Sequence, residues 1–423
     1  MAFLRSLSAG VTGLQNYTTM MDVIGNNVAN INTIGFKSSR ITFGELFSQT
    51  VRGATQSTGS TGGTNPVQVG LGASVMSIDT MFSQGVIEST GNQSDLAIEG
   101  SGLFIVRNGN KDLYTRVGAF ERDSTGALVM KGTGAVLQGK LANAQGVIPA
   151  GASLGDIVID MSRKSAPEAT DMAKIAGNLD ASAATYVPAS AGPPAVAESG
   201  GKVFTTFNVF DSLGITHAFT ATMTKNATAN KWDYKVTDAA GTSLGTGSLT
   251  FNTDGSVATG SPAVIPAVAL TNGAANLNVT LDFSTLTQTQ ATSVLTPTNI
   301  SGYTSGDMSS WAIDQNGYIT GSFTNGQVMT LGRIVLGEPT NASGLTRVGD
   351  GLYDISPNSG MISLIDPGAG ATSRILPSSL EQSNVDLPEE FTKMIVAQRG
   401  FQANSRVITT SDEILNEVVN LKR

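Results

Sequence analysis

Residues 4–28 read LRSLSAGVTGLQNYTTMMDVIGNNV. Apolar side chains fall at Leu4, Leu7, Val11, Leu14, Met21 and Val28, with Thr18 and Gly25 taking the two remaining turns of the same 3-4 register. That spacing predicts one long amphipathic helix with a heptad seam over about four heptads. Its polar face is unusual, because from Ser6 to Phe36 the only charged residue is Asp22. A solvated helix ordinarily carries Lys and Glu for solubility and i,i+4 pairing. A nearly uncharged one suits a place where every face meets protein.

The other end of the chain repeats the habit. After Asp386, Pro388 and the acids Glu389 and Glu390, apolar side chains follow at Phe391, Met394, Phe401, Ile408, Leu415 and Val419. Asp386 can cap free backbone amides and the two glutamates suit the positive helix end, while Lys422 and Arg423 stand at the negative end. Helices of this length are marginal alone, and burying a Leu-sized side chain contributes only roughly 1.5–3 kcal/mol. The expectation is that the terminal helices, 1–30 and 384–423, pair as a coiled coil and gain full order in an assembly. An ordinary two-helix hairpin capping a β protein is the alternative, and periodicity leaves both open.

Between the ends the helical period disappears. LFIV (103–106), DLYTRV (112–117), VFTTFNVF (203–210), ITHAFTATM (215–223), KWDYKV (231–236), NVTLDF (278–283) and LGRIVL (331–336) are short and rich in β-branched or aromatic residues. Turn formers such as Asn108-Gly109, Asp254-Gly255 and Asn316-Gly317 separate them. The fold class is therefore α+β, with long terminal helices and mainly-β domains between them. Residues 52–65 read as a flexible Gly/Ser/Thr linker, and 183–201 as a Pro/Ala/Gly/Ser loop.

Composition limits the chemistry. The 423 residues include no cysteine and one histidine, His217, so disulfides, thiolate sites and multi-histidine metal centres are excluded. The net charge of −8 argues against nucleic acid, whose phosphates need Lys and Arg. His217 alternates with apolar neighbours and reads as a satisfied strand residue. Gly100-Ser101-Gly102 leads into a strand where a dinucleotide site needs a helix. Asp314 to Gly317 begins like a calcium loop but lacks its spacing, and reads as a hairpin turn. Trp232 and Trp311 read as packing residues. No catalytic residue, cofactor or metal is expected. The first twenty residues lack the apolar run of a cleaved signal peptide, and the most apolar stretch, 263–270, is short and carries a proline, so neither a signal peptide nor membrane insertion is expected.

The stretch that ends the first helix, GNNVANINTIGFKSSR (25–40), holds Asn26, Asn27, Asn30 and Asn32 followed by Gly35 and Phe36. Asparagines bond local backbone and tolerate left-handed conformations, so the chain turns here. NNVANINTIGFK resembles the N-terminal signature of the flagellar rod and hook axial proteins of bacteria. SNVDLPEEFTKMIVAQRGFQANSRVITTSDEILNEVVNLKR (383–423) is similar to their C-terminal signature, and IEGSGLFIV (98–106) with YTRVGAF (114–120) adds a third block.

Within that family the resemblance is to the hook branch, over essentially the whole chain. It implies an inner tube made by residues 1–30 with 384–423, a connecting segment of 31–72 with 372–383, an inner β domain of 73–144 with 302–371, and an outer β insertion at 145–301. It further implies a helical homopolymer forming a curved, bendable tube that passes motor torque to the filament and conducts exported subunits. The implied partners are the distal rod protein, the hook cap protein, the hook–filament junction protein and the flagellar type III export apparatus, at an extracellular location reached without a cleaved signal. A distal rod-type protein of the same family is the nearest alternative. A secreted β-rich adhesin is the alternative from another class.

Overall fold

The computed structural model describes residues 2–57, 62–190, 197–270, 272–368 and 373–420. Parts of the expected linker (58–61) and loop (191–196), together with Lys422 and Arg423, lie outside the described residues. The chain is mostly β with a long helix at each end: α1 spans Ala2–Ala29 and α2 spans Leu387–Asn420. Asp386 caps α2 as its position suggests, its Oδ1 accepting the Glu389 amide at 3.2 Å.

Two ribbons follow α1. Strand β1 (Ser39–Glu45) pairs antiparallel with β4 (Ala73–Thr80), and between them β2 (Ser48–Arg52) pairs with β3 (Val67–Gly70). The segment expected to be a linker is thus the end of a hairpin, with Thr55 and Thr64 bridged across it. Threonine hydroxyls and β propensity supply pairing that a count of Gly and Ser does not reveal.

The chain divides into two compact units, one made of 1–160, 311–320 and 329–423, the other of 161–310 and 321–328. In the first unit, strands run in the order Val136–Leu141, Leu103–Asn108, Lys111–Thr115, Leu352–Asp354 and Thr346–Gly349. Leu96, Ile98, Phe104, Ile105, Phe120, Leu128 and Leu137 fill its core, with the Phe104 and Phe120 rings edge to face at 5.3 Å. The returning chain adds Arg374–Pro377 against Leu96–Glu99, and Ser379–Glu381 against Ile87–Ser89. Asp314 closes a hairpin turn, its Oδ1 accepting the amides of Asn316 and Tyr318, while Gly317 takes φ +77.

The second unit carries an antiparallel meander of five strands, from Lys202–Phe210 through Val257–Thr259. Alternation decides its faces: Phe207 and Val209 point inward while Phe204, Thr206 and Asn208 point out. The wholly buried Trp232 packs with Phe207, Phe219, Phe251 and Phe283. Residues 145–160 stay with the first unit, because Leu154–Asp156 pairs with Gln138–Lys140 and Val158 bridges Ala127. The second compact unit therefore begins at Met161.

His217 lies in the second unit at 3.1 Å from the buried Asp211. Asp211 also accepts the amides of Leu213 and Ile215 and the side chain of Asn272. Burial alone would raise its pKa, but His217 and these donors outweigh it and hold the carboxyl at about 2, against 3.8. A lowered carboxyl stabilises above its unfolded value and loses that contribution as pH falls through the folded one. Thermal unfolding of wild type and Asp211→Asn should therefore differ by a constant amount above about pH 4, with the gap closing from there toward pH 2.

Candidate assembly surface

The two helices of the first unit pack against each other in antiparallel fashion. Ser6 Oγ meets Ser411 Oγ at 3.4 Å near one end, and Asn27 Nδ2 donates to Glu390 Oε2 at 3.1 Å near the other. Those contacts stand twenty-one residues apart on both helices, three heptads in register. Small residues line the contact between them. A Cβ on Gly10 would sit 3.1 Å from Ile408, one on Gly13 would lie 2.6 Å from Asn404 Oδ1, and one on Gly400 would lie 2.3 Å from the Tyr17 ring. The backbones approach closely because nothing larger than hydrogen stands at those positions. Gly400→Leu should therefore force the helices apart at a cost of about 1–3 kcal/mol or more, read as a lower urea midpoint for the helical signal.

On α1 the apolar residues singled out by spacing lie beside that contact. Leu7, Val11, Leu14 and Val28 each follow by one residue a position seen in the contact (6, 10, 13, 27), a rotation of about 100°. Val11 is 40% exposed, and Leu7, Leu14, Met21 and Val28 are half-buried. The Leu4 side chain lies outside the described residues. On α2, Ile408 packs at Gly10, while Met394 and Leu415 are half-buried. Phe391 is 49% exposed, Val419 66%, and Phe401, Ile395, Val396, Val407 and Ile414 are exposed as well. Ile24 and Ala397 are the fully buried apolar side chains of the helices among the described residues.

The asparagine segment joins this helix pair to the β unit. Asn27 is buried: its Nδ2 donates to Ser39 O at 2.8 Å and its Oδ1 accepts the Ser39 amide at 2.9 Å, besides the bond to Glu390. Asn30 folds back onto Asn26 O and Oδ1, ending the helix, and Asn32 is exposed. Gly35 takes φ +67, and a Cβ there would lie 2.8 Å from the Arg116–Val117 backbone, so the turn requires glycine. Phe36 is half-buried beneath the Arg347 guanidinium, 5.2 Å from the ring centroid.

Beside Gly35 lies a charge cluster that spacing did not reveal. Lys37 Nζ sits 2.6 Å from Glu381 Oε1 with both side chains fully buried, and Arg116 Nη1 lies 3.4 Å from Glu381 Oε2. Glu381 also accepts the Gly85 amide at 2.8 Å, its carbonyl accepts the Gly35 amide at 2.8 Å, and Lys37 also donates to Ser83 O. Burial holds the Lys37 ammonium below its ordinary range, with Glu381 pulling the other way, and burial lowers Arg116 too. Asn384 completes the seam: its Oδ1 accepts the Ser38 amide at 2.7 Å and its Nδ2 donates to Met81 O at 2.8 Å. One local signal pointed here, since Arg116 and Lys37 both fall inside the conspicuous blocks 114–120 and 26–37. Among the described residues no group of three or more His, Asp or Glu is placed to hold a metal ion.

Comparison with known proteins covers the same parts. Residues 7–37 match the family model "Flagella basal body rod protein", 97–171 the "Flagellar hook protein FlgE/F/G D1 domain", 178–303 the "Flagellar basal body protein FlaE D2 domain", and 376–421 the "Flagellar basal body rod FlgEFG protein C-terminal". The flagellar hook protein FlgE of Borreliella burgdorferi is 37% identical, over 99% of this chain and 100% of its own. The flagellar basal-body rod protein FlgG of Bacillus subtilis is 30% identical, over 99% and 100%. The crystal structure of Helicobacter pylori flagellar hook protein FlgE2 superposes with a TM-score of 0.50 at 14% identity, covering 68% of this chain and 98% of that one.

Proposed function

Since the chain belongs to the flagellar hook protein family, we propose that its copies polymerise through the faces of the paired terminal helices that remain uncovered, building the inner wall of a curved, bendable tube. The protein is a structural subunit of the hook, not an enzyme. One observation carries the proposed contact: the helices use a seam of small and polar residues for each other and leave Val11, Phe391, Ile395, Val407 and Ile414 exposed. Large apolar side chains left exposed along both helices are what a protein–protein contact would cover. The helix pair then acts as a coiled coil whose seam residues are divided between its own partner helix and neighbouring copies.

The four-part division follows the family. Residues 1–30 with 384–423 form the tube, 31–72 with 372–383 the connection, 73–160 with 311–371 an inner β domain, and 161–310 the outer insertion. Torque passes through the tube wall, while the Thr- and Ser-rich faces of the insertion slide over one another as the tube bends. Few charges stand there to lock fixed ion pairs. The distal rod, the cap, the filament junction and the type III export apparatus are the neighbours this role requires, at the cell exterior.

Electron microscopy of the purified chain under polymerising conditions tests the reading. Curved tubes support it, straight tubes favour a rod subunit, and monomers under all conditions count against both. Deletion of residues 1–30 should abolish tubes of either kind.

A further inference from the structure

The hairpin of β2 and β3 has no cover in its own chain. Every residue of both strands is exposed, Phe47 at its start is 85% exposed, and Val51, Val67 and Val69 also face solvent. A two-stranded ribbon without a buried face is marginally stable at best, and an aromatic ring left in water calls for a partner surface.

A cavity of about 660 Å³ opens elsewhere on the same unit, beneath the turn that follows α1. Ile34, Phe36, Val117, Met130, Leu352 and Tyr353 supply its apolar walls, and its charged groups are Arg347, Asp350 and Lys131, the last paired with Asp95 at 3.2 Å. About 150 Å³ of apolar space accommodates a benzene-sized group, so the cavity has room for a phenylalanine ring with an aliphatic neighbour.

We propose that Phe47 of one copy seats in this cavity of a second copy, with Glu45 directed toward Arg347. The inference rests on the self-assembly proposed above and adds a named contact to it. Three observations select a second copy as the occupant. Phe47 is exposed in its own chain, Glu45 is an exposed acid two residues from it, and the cavity wall carries the Arg347 guanidinium. Knob and cavity lie on different surfaces, so the contact is heterologous, and repetition generates an open helical polymer rather than a closed dimer.

The chain has no native cysteine, which makes a clean test available. Gln49→Cys and Thr133→Cys chains, both keeping Phe47, are prepared separately, mixed, polymerised and treated with a short bismaleimide. Covalent dimers should form in the mixed tubes and not in tubes of either variant alone. Mixed tubes without dimers would overturn the contact while leaving the hook reading intact, whereas failure of wild type to form tubes would defeat that reading first and this one with it. Phe47→Ala should raise the critical concentration for assembly about tenfold or more. An unchanged critical concentration, or linkage of Thr133→Cys only to a different protein, also overturns it.

Discussion

Glu381→Gln is expected to destabilise the first unit by about 3–5 kcal/mol. The substitution keeps the shape of the side chain and removes the one carboxylate that faces two buried cations, Lys37 and Arg116. A lone buried ion pair is weak evidence for stability, because desolvation offsets the attraction, yet removing one partner strands the other in a medium that cannot solvate it. Here two cations are stranded and the Gly85 amide loses a charged acceptor. Lys37 can shed its proton more readily than a solvated lysine, since burial already lowers it. Arg116 has no such escape. The double variant Lys37→Met/Glu381→Gln should therefore recover part of the loss. Trp311 lies in the first unit and Trp232 in the second, so a Trp232→Phe background isolates the first unit in a urea titration followed by fluorescence. A midpoint equal to wild type would mean that the cluster contributes nothing to holding α2 on the β unit.

Phe391→Asp combined with Ile395→Asp should raise the critical concentration for tube formation at least a hundredfold. Both side chains are about half exposed in the single chain, so replacing them should leave its stability within about 0.5 kcal/mol. In a tube each would be buried. Losing two apolar side chains forfeits about 3 kcal/mol or more, two decades in an equilibrium constant, and an unpaired carboxylate at the contact adds to that. Sedimentation and electron microscopy measure assembly while circular dichroism confirms that the helices remain. Normal tubes from this variant would place the polymer contact on another face. Gly400→Leu is the complementary case, since it disturbs the intramolecular contact and should change both readouts together.

The helices, their extent and their caps were legible because the signals are local. A 3.6-residue period, Asp386 ahead of two glutamates and the asparagine cluster at 26–32 all lie within a few residues of what they determine. The β middle was legible for the same reason. Gly35 could be singled out as part of a motif, although its reason, a left-handed turn pressed against the Arg116–Val117 backbone, is visible only in three dimensions.

Three features depended on the tertiary structure. The buried cluster joins residues 344 positions apart in the chain, and no local pattern encodes which of many lysines meets which glutamate. The second compact unit begins at Met161 because Leu154–Asp156 is held by a strand some sixteen residues upstream, a pairing that turn composition does not report. The third is the use of the helix faces. By itself the sequence determined that each end is a helix with an apolar stripe, since periodicity follows from helix geometry alone. Which side of that helix meets its own partner was decided in the fold, where glycine and serine permit a close approach that apolar side chains would block, and the α1 stripe flanks that contact, with Val11 exposed and Leu7, Leu14, Met21 and Val28 half-buried.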